Sequence, residues 1–311
     1  MNAGAPSSPA PHRVLTVATA LAVGTARLRE RERFGAAPGE APFDARVLLA
    51  HILERNTAWL LAHGDAPLAV AERAGFEAAI ERRLRGEPVA YIVGTAGFFG
   101  HTFAVDEHVL VPRPETEGAV EAVLAHFRTR GYGPRAAVPG LRAGPPGPRI
   151  CDVGTGTGCI AISLACELPD ARLTAIDISP QALTVARANA RTFGVDDRIA
   201  FVAGAGLAAA DGLAAADGLA AEEGLATAGR FAAAGYGMRF DCIIANLPYV
   251  KSGDLAAAPD PTSFEPRLAL DGGHDGLDAY RALLAAAPAR LQAGGLLVME
   301  AGPDTVSELA E

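Results

Sequence analysis

Two short segments carry residue types that could do chemistry: Asp152-Val-Gly-Thr-Gly-Thr-Gly158 and Asn246-Leu-Pro-Tyr249. The first lies between an apolar run, Ile150–Val153, and a segment of helical character, Cys159–Glu167. Glycines at a strand-to-helix turn let the backbone bend sharply and approach a ligand closely. Gly154, Gly156 and Gly158, with Thr155 and Thr157 between them, are therefore candidate cofactor-binding residues. A dinucleotide loop, G-x-G-x-x-G, would need glycine at 159, where Cys159 stands. The G-x-G-x-G spacing favours S-adenosyl-L-methionine over a nicotinamide dinucleotide, although a glycine triplet alone also suits a tight turn. Asp177 ends the next strand, where a carboxylate can accept hydrogen bonds from both ribose hydroxyls. Its plainer role is to cap the following helix, for which Ser179 is an equally good candidate.

The second segment, Asn246 to Tyr249, follows the apolar strand Phe240–Ala245. Its chemistry suits transfer of a methyl group to a planar amide or amino nitrogen, whose delocalised lone pair makes it a poor nucleophile. The Asn246 side-chain oxygen and the Leu247 carbonyl could accept hydrogen bonds from an NH₂ group. Tyr249 offers a flat face for stacking, and Pro248 stiffens the turn. A β-turn after a buried strand would use the same residue types. No metal is needed, and His12, His51, His63, His101, His108, His126 and His274 show no ligand spacing.

The elements that must position these residues follow from periodicity. Residues 1–11 read as a disordered leader, and residues 12–88 as a helical domain. Within it Val47, Leu48, His51 and Ile52 fall on one helical face, as do Phe76, Ile80 and Leu84, and Trp59 is a candidate core residue. Residues 89–114, rich in β-formers and glycine, read as a hairpin connector ended by Pro112-Arg113-Pro114. Helix resumes at Glu115 to Arg130, and residues 131–149 form a Gly- and Pro-rich loop. Beyond it strand and helix alternate, with Leu173–Ile176, Ile199–Val202 and Leu296–Met299 as further strands and Pro180–Phe193 as a helix. That alternation predicts an α/β fold, a parallel Rossmann-like sheet with helices on both faces. Residues 206–229 are a six-residue Gly-Leu-Ala repeat whose leucines share no helical face, and read as a flexible insertion.

Composition narrows the function. The 311 residues carry a net charge of −9, which argues against a role built on non-specific nucleic-acid phosphate contacts. The apolar stretch Val14 to Ala26 is too short to span a bilayer, which takes about 20 apolar residues. It follows no basic segment, so no membrane anchor or export signal is expected. Cys151, Cys159, Cys166 and Cys242 contain no C-x-x-C pair, consistent with reduced thiols in the cytoplasm.

The whole pattern resembles the glutamine methyltransferases of peptide chain release factors, the HemK/PrmC family. The resemblance rests on Asp44-Ala-Arg-Val-Leu-Leu-Ala-His, Phe98-Phe-Gly-His-Thr-Phe and Val111-Pro-Arg-Pro-Glu-Thr-Glu117. It rests equally on the glycine loop, Asp177-Ile-Ser-Pro, Asn246-Leu-Pro-Tyr249 and Glu265-Pro-Arg-Leu-Ala-Leu-Asp-Gly-Gly. It implies an S-adenosylmethionine-dependent methyltransferase domain over 115–311 and an N-terminal domain that binds the release factor. It also implies methylation of the glutamine of a Gly-Gly-Gln loop, with Gly154 to Gly158 and Asp177 on the cofactor and Asn246 to Tyr249 on the glutamine amide. The tetrapeptide is shared with nucleic-acid amino methyltransferases, which are the first alternative; an inactive copy that only binds a partner is the second.

Three features depart from the family. Ala203-Gly-Ala-Gly206 stands where an acidic or polar residue usually meets the adenine, with Asp211 or Asp217 as possible substitutes. The chain ends at Glu311, soon after Met299-Glu300, so a C-terminal truncation that exposes Leu296–Met299 as a sheet edge is expected. Leu247 replaces the first proline of Asn-Pro-Pro-Tyr, which would hold Asn246 extended. Leu247→Pro is therefore expected to raise turnover; an unchanged rate in a steady-state methyl-transfer assay would show that Leu247 carries no penalty.

Overall fold

The computed structural model describes residues 15–32, 39–133, 147–210, 239–257, 260–302 and 305–306. The leader, most of the 131–149 loop, Asp211, Asp217 and the repeats beyond residue 210 lie outside the described residues. The chain divides into two compact units between Val93 and Gly94.

The first unit is helical: α1 Val17–Glu32, α2 Glu40–Ile52, α3 Thr57–Ala62, α4 Val70–Leu84 and α5 Val89–Val93. Asn56 caps α3 by accepting the Trp59 N–H at 2.8 Å, and Glu72 accepts the Ala69 N–H at the start of α4 at 2.6 Å. Leu28, Leu48, Leu49, Leu60, Phe76, Ile80 and Ile92 form the core. Helices α1 and α4 meet so closely that a Cβ on Gly24 would lie 2.7 Å from the Phe76 ring.

The buried face of α2 is not the expected one. Ala41, Asp44, Ala45, Leu48 and Leu49 point inward, whereas Val47 is half-buried and His51 exposed. The face turns because a charged residue belongs to it. Asp44 accepts from Arg83 Nε at 2.6 Å, and both side chains are under a tenth exposed. Arg83 also donates to the Glu87 carbonyl at 3.3 Å, so this pair joins α2, α4 and the turn before α5. Trp59 is half-buried rather than central: it stacks on His63 with centroids 4.4 Å apart, under Arg55, while Leu60 takes the core position.

Val89–Val93 forms a helix where a strand is expected. Pro88 starts it and accepts from Tyr91 and Ile92 N–H at 3.0 and 3.1 Å, and Ile92 completes the helical core. The hairpin is correspondingly short, with β1 Thr95–Phe98 antiparallel to β2 His101–Ala104. Its turn, Phe99-Gly100, has φ of 50° and 74°, the left-handed pair of a type I′ turn. Phe99 tolerates this because Glu117 accepts its N–H at 2.8 Å. Val109 to Val111 lie outside any strand.

The second unit continues with α6 Glu117–Arg128 and a five-stranded parallel sheet. The strands are β3 Arg149–Val153, β4 Arg172–Asp177, β5 Ile199–Ala203, β6 Phe240–Asn246 and β7 Leu291–Glu300, in the order β5-β4-β3-β6-β7. Alternate residues face opposite layers, as a strand requires. Ile150, Leu173, Cys242 and Ile244 pack with α6 and α7, Cys159–Glu167. Cys151, Ile176, Ile243 and Ala245 pack on the other face with Tyr280 and Leu283 of α9, Asp278–Arg290. Helix α8, Pro180–Phe193, lies between β4 and β5 in the chain. Leu207, from the first repeat unit, is buried in the same layer as Tyr280, so the repeat begins inside the fold. Leu296 to Met299 in the edge strand β7 are half-buried.

Removing one partner of a buried ion pair leaves the other charge uncompensated, at a cost of about 3–5 kcal/mol. Asp44→Ala leaves Arg83 only the half-exposed Glu40, 3.5 Å away, and is expected to destabilise the helical unit at the low end of that range, by about 3 kcal/mol. Trp59 is the only tryptophan, so urea unfolding followed by its fluorescence reads this unit alone. A midpoint unchanged from wild type would show that the pair does not hold the unit together.

Candidate active site

Strands β4 and β6 flank β3 on opposite sides, so the connections after β3 leave the sheet in two directions. A crevice opens at the carboxyl ends of strands at such a switch point. Val153 pairs with Ala245, which brings the glycine loop after β3 and Asn246 after β6 side by side. A cavity of about 560 Å³ occupies this place, lined by Gly154 to Thr157, Asp177 and Asn246 to Pro248 among others.

The glycine loop is held from below. Gly154 and Thr155 N–H both donate to the Ile176 carbonyl, at 2.8 and 2.9 Å. Gly158 has φ of 81°, and a Cβ there would lie 2.9 Å from Ile162 Cδ1 and 3.2 Å from Ala186 Cβ. Gly156 also has positive φ, but nothing lies within 4 Å of its Cβ position, so the loop presents bare backbone to the cavity. Thr157 accepts the Cys159 N–H at 3.2 Å, and its carbonyl accepts from the buried Asn189 at 3.0 Å. Asn189 also bonds the Ala104 N–H and carbonyl, at 2.8 and 3.0 Å, tying the hairpin to α8 and the loop.

Asp177 fills two roles at once. Its oxygens accept from Gly156 N–H and Ser179 N–H, each at 2.9 Å, while Ser179 itself caps α8 by accepting from Ala182 N–H at 3.2 Å. Burial raises its pKa, and these backbone bonds draw it back. A carboxylate has about four lone-pair sites, so capacity remains for further donors on the cavity side. Asp152, beneath the loop, is fully buried. It accepts from Thr155 Oγ1 at 2.7 Å and Ala161 N–H at 3.3 Å, and desolvation pushes its carboxyl up to about 7.

At the other wall Asn246 Nδ2 donates to Thr116 Oγ1 at 3.0 Å. Tyr280 Oη lies 2.9 Å from the Leu247 carbonyl and 2.5 Å from that of Glu300, which fixes the first turn beyond β6. The Leu247 side chain is buried against Gly154, 3.2 Å from its Cβ position. Tyr249 is not among the residues lining the cavity; its ring lies 3.0 Å from the Cβ position of Gly302.

Arg113, which by sequence could equally bind a ligand or pair with nearby Glu115 or Glu117, has another partner. It donates to Glu265 Oε1 at 2.7 Å, and the Glu265 side chain is almost fully buried. Glu117 is engaged by Phe99 instead. Thr116, Asp152, Glu265, Tyr280 and Glu300 are thus structural members of the site that pattern reading does not single out. Asp152, Thr116 and Glu265 stand inside recognisable motifs; Tyr280 and Glu300 are brought in by distant contacts.

Gly204 to Gly206, the segment lacking an acidic residue, also line the cavity, and Gly204 N–H donates to the Asp177 carbonyl at 2.9 Å. Among the described residues no group of three or more His, Cys, Asp or Glu is placed to hold a metal ion. No described helix is long and apolar enough to cross a membrane.

Comparison with known proteins agrees with this architecture. Residues 19–94 match the PrmC N-terminal domain, and residues 146–264 match a methyltransferase domain. A release factor glutamine methyltransferase of Chlorobaculum tepidum is 40% identical over 271 residues, which cover 87% of this chain and 81% of that one. Proteins of the same name from Xylella fastidiosa and Moorella thermoacetica are 38% and 39% identical, covering 84% and 88% of this chain and 80% and 82% of theirs. A shared helical unit, a shared methyltransferase unit and this identity over most of both chains place the protein in the release factor glutamine methyltransferase family.

Proposed function

We propose that the protein methylates the side-chain amide nitrogen of the glutamine in the Gly-Gly-Gln motif of peptide chain release factors, in the cytoplasm. The observation that carries this reading is the shared cavity. Backbone suited to a nucleoside cofactor and an Asn-Leu-Pro acceptor site line one space of about 560 Å³. The N-terminal helical unit is assigned to release-factor binding.

The residues present fit S-adenosyl-L-methionine. Gly156 leaves open backbone where a side chain would intrude, and Asp177 retains acceptor capacity for ribose hydroxyls. When bound, S-adenosyl-L-methionine supplies an electrophilic methyl carbon on a sulfonium. Everything else falls to the chain. The glutamine nitrogen is a weak nucleophile because its lone pair is delocalised into the carbonyl. Asn246 Oδ1 accepts one of its N–H bonds. The Leu247 carbonyl, with one lone pair directed at Tyr280, has a second for the other N–H. Two acceptors hold the amide plane so that the nitrogen faces the methyl donor, and this orientation is a large part of the rate. Asp152 keeps Thr155, and with it the loop, in place.

The test is incubation with S-adenosyl-L-methionine and a release factor, followed by peptide mass spectrometry. One methyl group on the Gly-Gly-Gln glutamine is expected; methylation of DNA or RNA in preference to the release factor would overturn the reading. Asn246→Ala is expected to lower kcat by about 10²-fold, the scale of losing one aligned polar group at a reacting centre. Gly158→Ala is expected to weaken S-adenosylhomocysteine binding, measured by calorimetry, about tenfold or more, because it adds both strain and a clash. Wild-type affinity in that variant would remove the glycine loop from the cofactor site.

A further inference from the structure

The consecutive carbonyls of the acceptor segment, Leu247 to Val250, all meet one stretch of chain, Leu270 to Tyr280. The Tyr280 hydroxyl lies 2.9 Å from the Leu247 carbonyl oxygen. The Pro248 carbonyl oxygen lies 2.7 Å from the Cβ position of Gly272, and the Tyr249 carbonyl oxygen 2.5 Å from that of Gly276. The Val250 carbonyl accepts the Gly272 N–H at 2.8 Å, and the Val250 N–H donates to the Leu270 carbonyl at 3.0 Å, so that Val250 and Asp271 form a parallel bridge. The stretch is itself anchored. The Asp271 carboxylate accepts from Ser252 Oγ at 2.5 Å and from Gly273 N–H at 3.1 Å. The Gly272 carbonyl accepts the Asp278 N–H at the start of α9, at 3.1 Å.

The two glycines lack a side chain for different reasons. Gly276 has φ of 82°, which favours glycine by itself. Gly272 has no positive φ, so its backbone suits any residue and only space requires glycine there. Ordinary contact begins at roughly 3.5 Å, so a methyl group at Gly272 would have to push the Pro248 carbonyl away. Backbone thus lies directly on backbone, beside the cavity that Pro248 and Gly272 both line. We propose that Gly272, Gly276 and Tyr280 are positioning residues, a mould for the Leu247–Val250 backbone that aims the Leu247 carbonyl at the substrate NH₂ group. The inference rests on the methyltransferase reading and deepens it. Each residue acts through the backbone of the acceptor segment: Gly272 through Pro248, Gly276 through Tyr249, and Tyr280 on the Leu247 carbonyl itself.

Two measurements test this. The first is kinetic. Tyr280→Phe removes one hydroxyl and keeps the ring, and is expected to lower kcat for release-factor methylation about fivefold to tenfold, the scale of one hydrogen bond. Gly272→Ala displaces the Pro248 carbonyl and is expected to lower kcat by up to about 10²-fold, the scale of an orienting group misplaced by about 1 Å. Affinity for S-adenosylhomocysteine should change less than about twofold in both, since the glycine loop and Asp177 are untouched. Gly253→Ala is the control: its Cβ position has open space around it, and kcat should stay at the wild-type value. Wild-type kcat in Tyr280→Phe or Gly272→Ala would overturn the proposal, as would an equal fall in cofactor affinity or an equal loss in Gly253→Ala. If Gly272→Ala does not fold, Tyr280→Phe decides.

The second measurement needs no activity. The backbone amide protons of Val250 and Gly272, which join the two stretches, should exchange slowly with solvent in the wild-type protein, and that of Val250 should exchange faster in Gly272→Ala. Rapid exchange of both in the wild type would refute the mould even in an active enzyme. Protected amides in a protein that does not methylate the release factor would instead leave the mould standing and refute the functional reading.

Discussion

Everything in the candidate site depends on the parallel pairing of β3 with β6. Backbone hydrogen bonds between these two strands set Val153 beside Ala245, and the next residues on each, Gly154 and Asn246, leave the sheet together. Cofactor loop and acceptor segment are more than ninety positions apart in the chain, yet neither needs a loop of its own to find the other. The reversal of strand order at β3 keeps the space between them open. Burial on both faces of the sheet makes this pairing hard to shift, because a one-residue slip would turn Ile243 and Ala245 away from Tyr280 and place Cys242 and Ile244 there.

Around that fixed edge the segment Arg113 to Glu117 works as a set of separate ties. Arg113 reaches Glu265, Thr116 reaches Asn246, and Glu117 reaches the hairpin turn at Phe99. Three side chains within five residues thus bind a distant loop, the end of β6 and a strained turn. Asn189 adds a fourth tie, between hairpin, helix and glycine loop. Such convergence restricts each position to the donor or acceptor it supplies. A run of polar residues at the entrance to a helix can therefore be specific without any of them touching a substrate.

Periodicity and breaker residues expose the second unit well. The helices Cys159–Glu167 and Pro180–Phe193 have the expected limits because glycine, or serine followed by proline, starts each one. Strand limits grew by only a residue or so, except in β7, where Leu291 extends the pairing toward the N-terminus. The glycine loop and the Asn246 segment were visible because short-range chemistry marks them. Other elements needed tertiary information. Val89–Val93 has the side chains of a strand, but the need to bury Ile92 in the helical core overrides that preference. Asp44 hides the true face of α2 because its partner Arg83 lies 39 residues away. Arg113 and Glu265 are 152 residues apart, and nothing local in either motif announces the other.

The burial of Leu207 has a bearing on how the repeated segment can change over generations. Among the described residues, the core receives Leu207, from the unit that starts at Gly206. The next unit, from Gly212, is identical in sequence, and the one from Gly218 begins with the same four residues. Gain or loss of a whole six-residue unit at the start of the tract would therefore deliver an equivalent leucine to the same place.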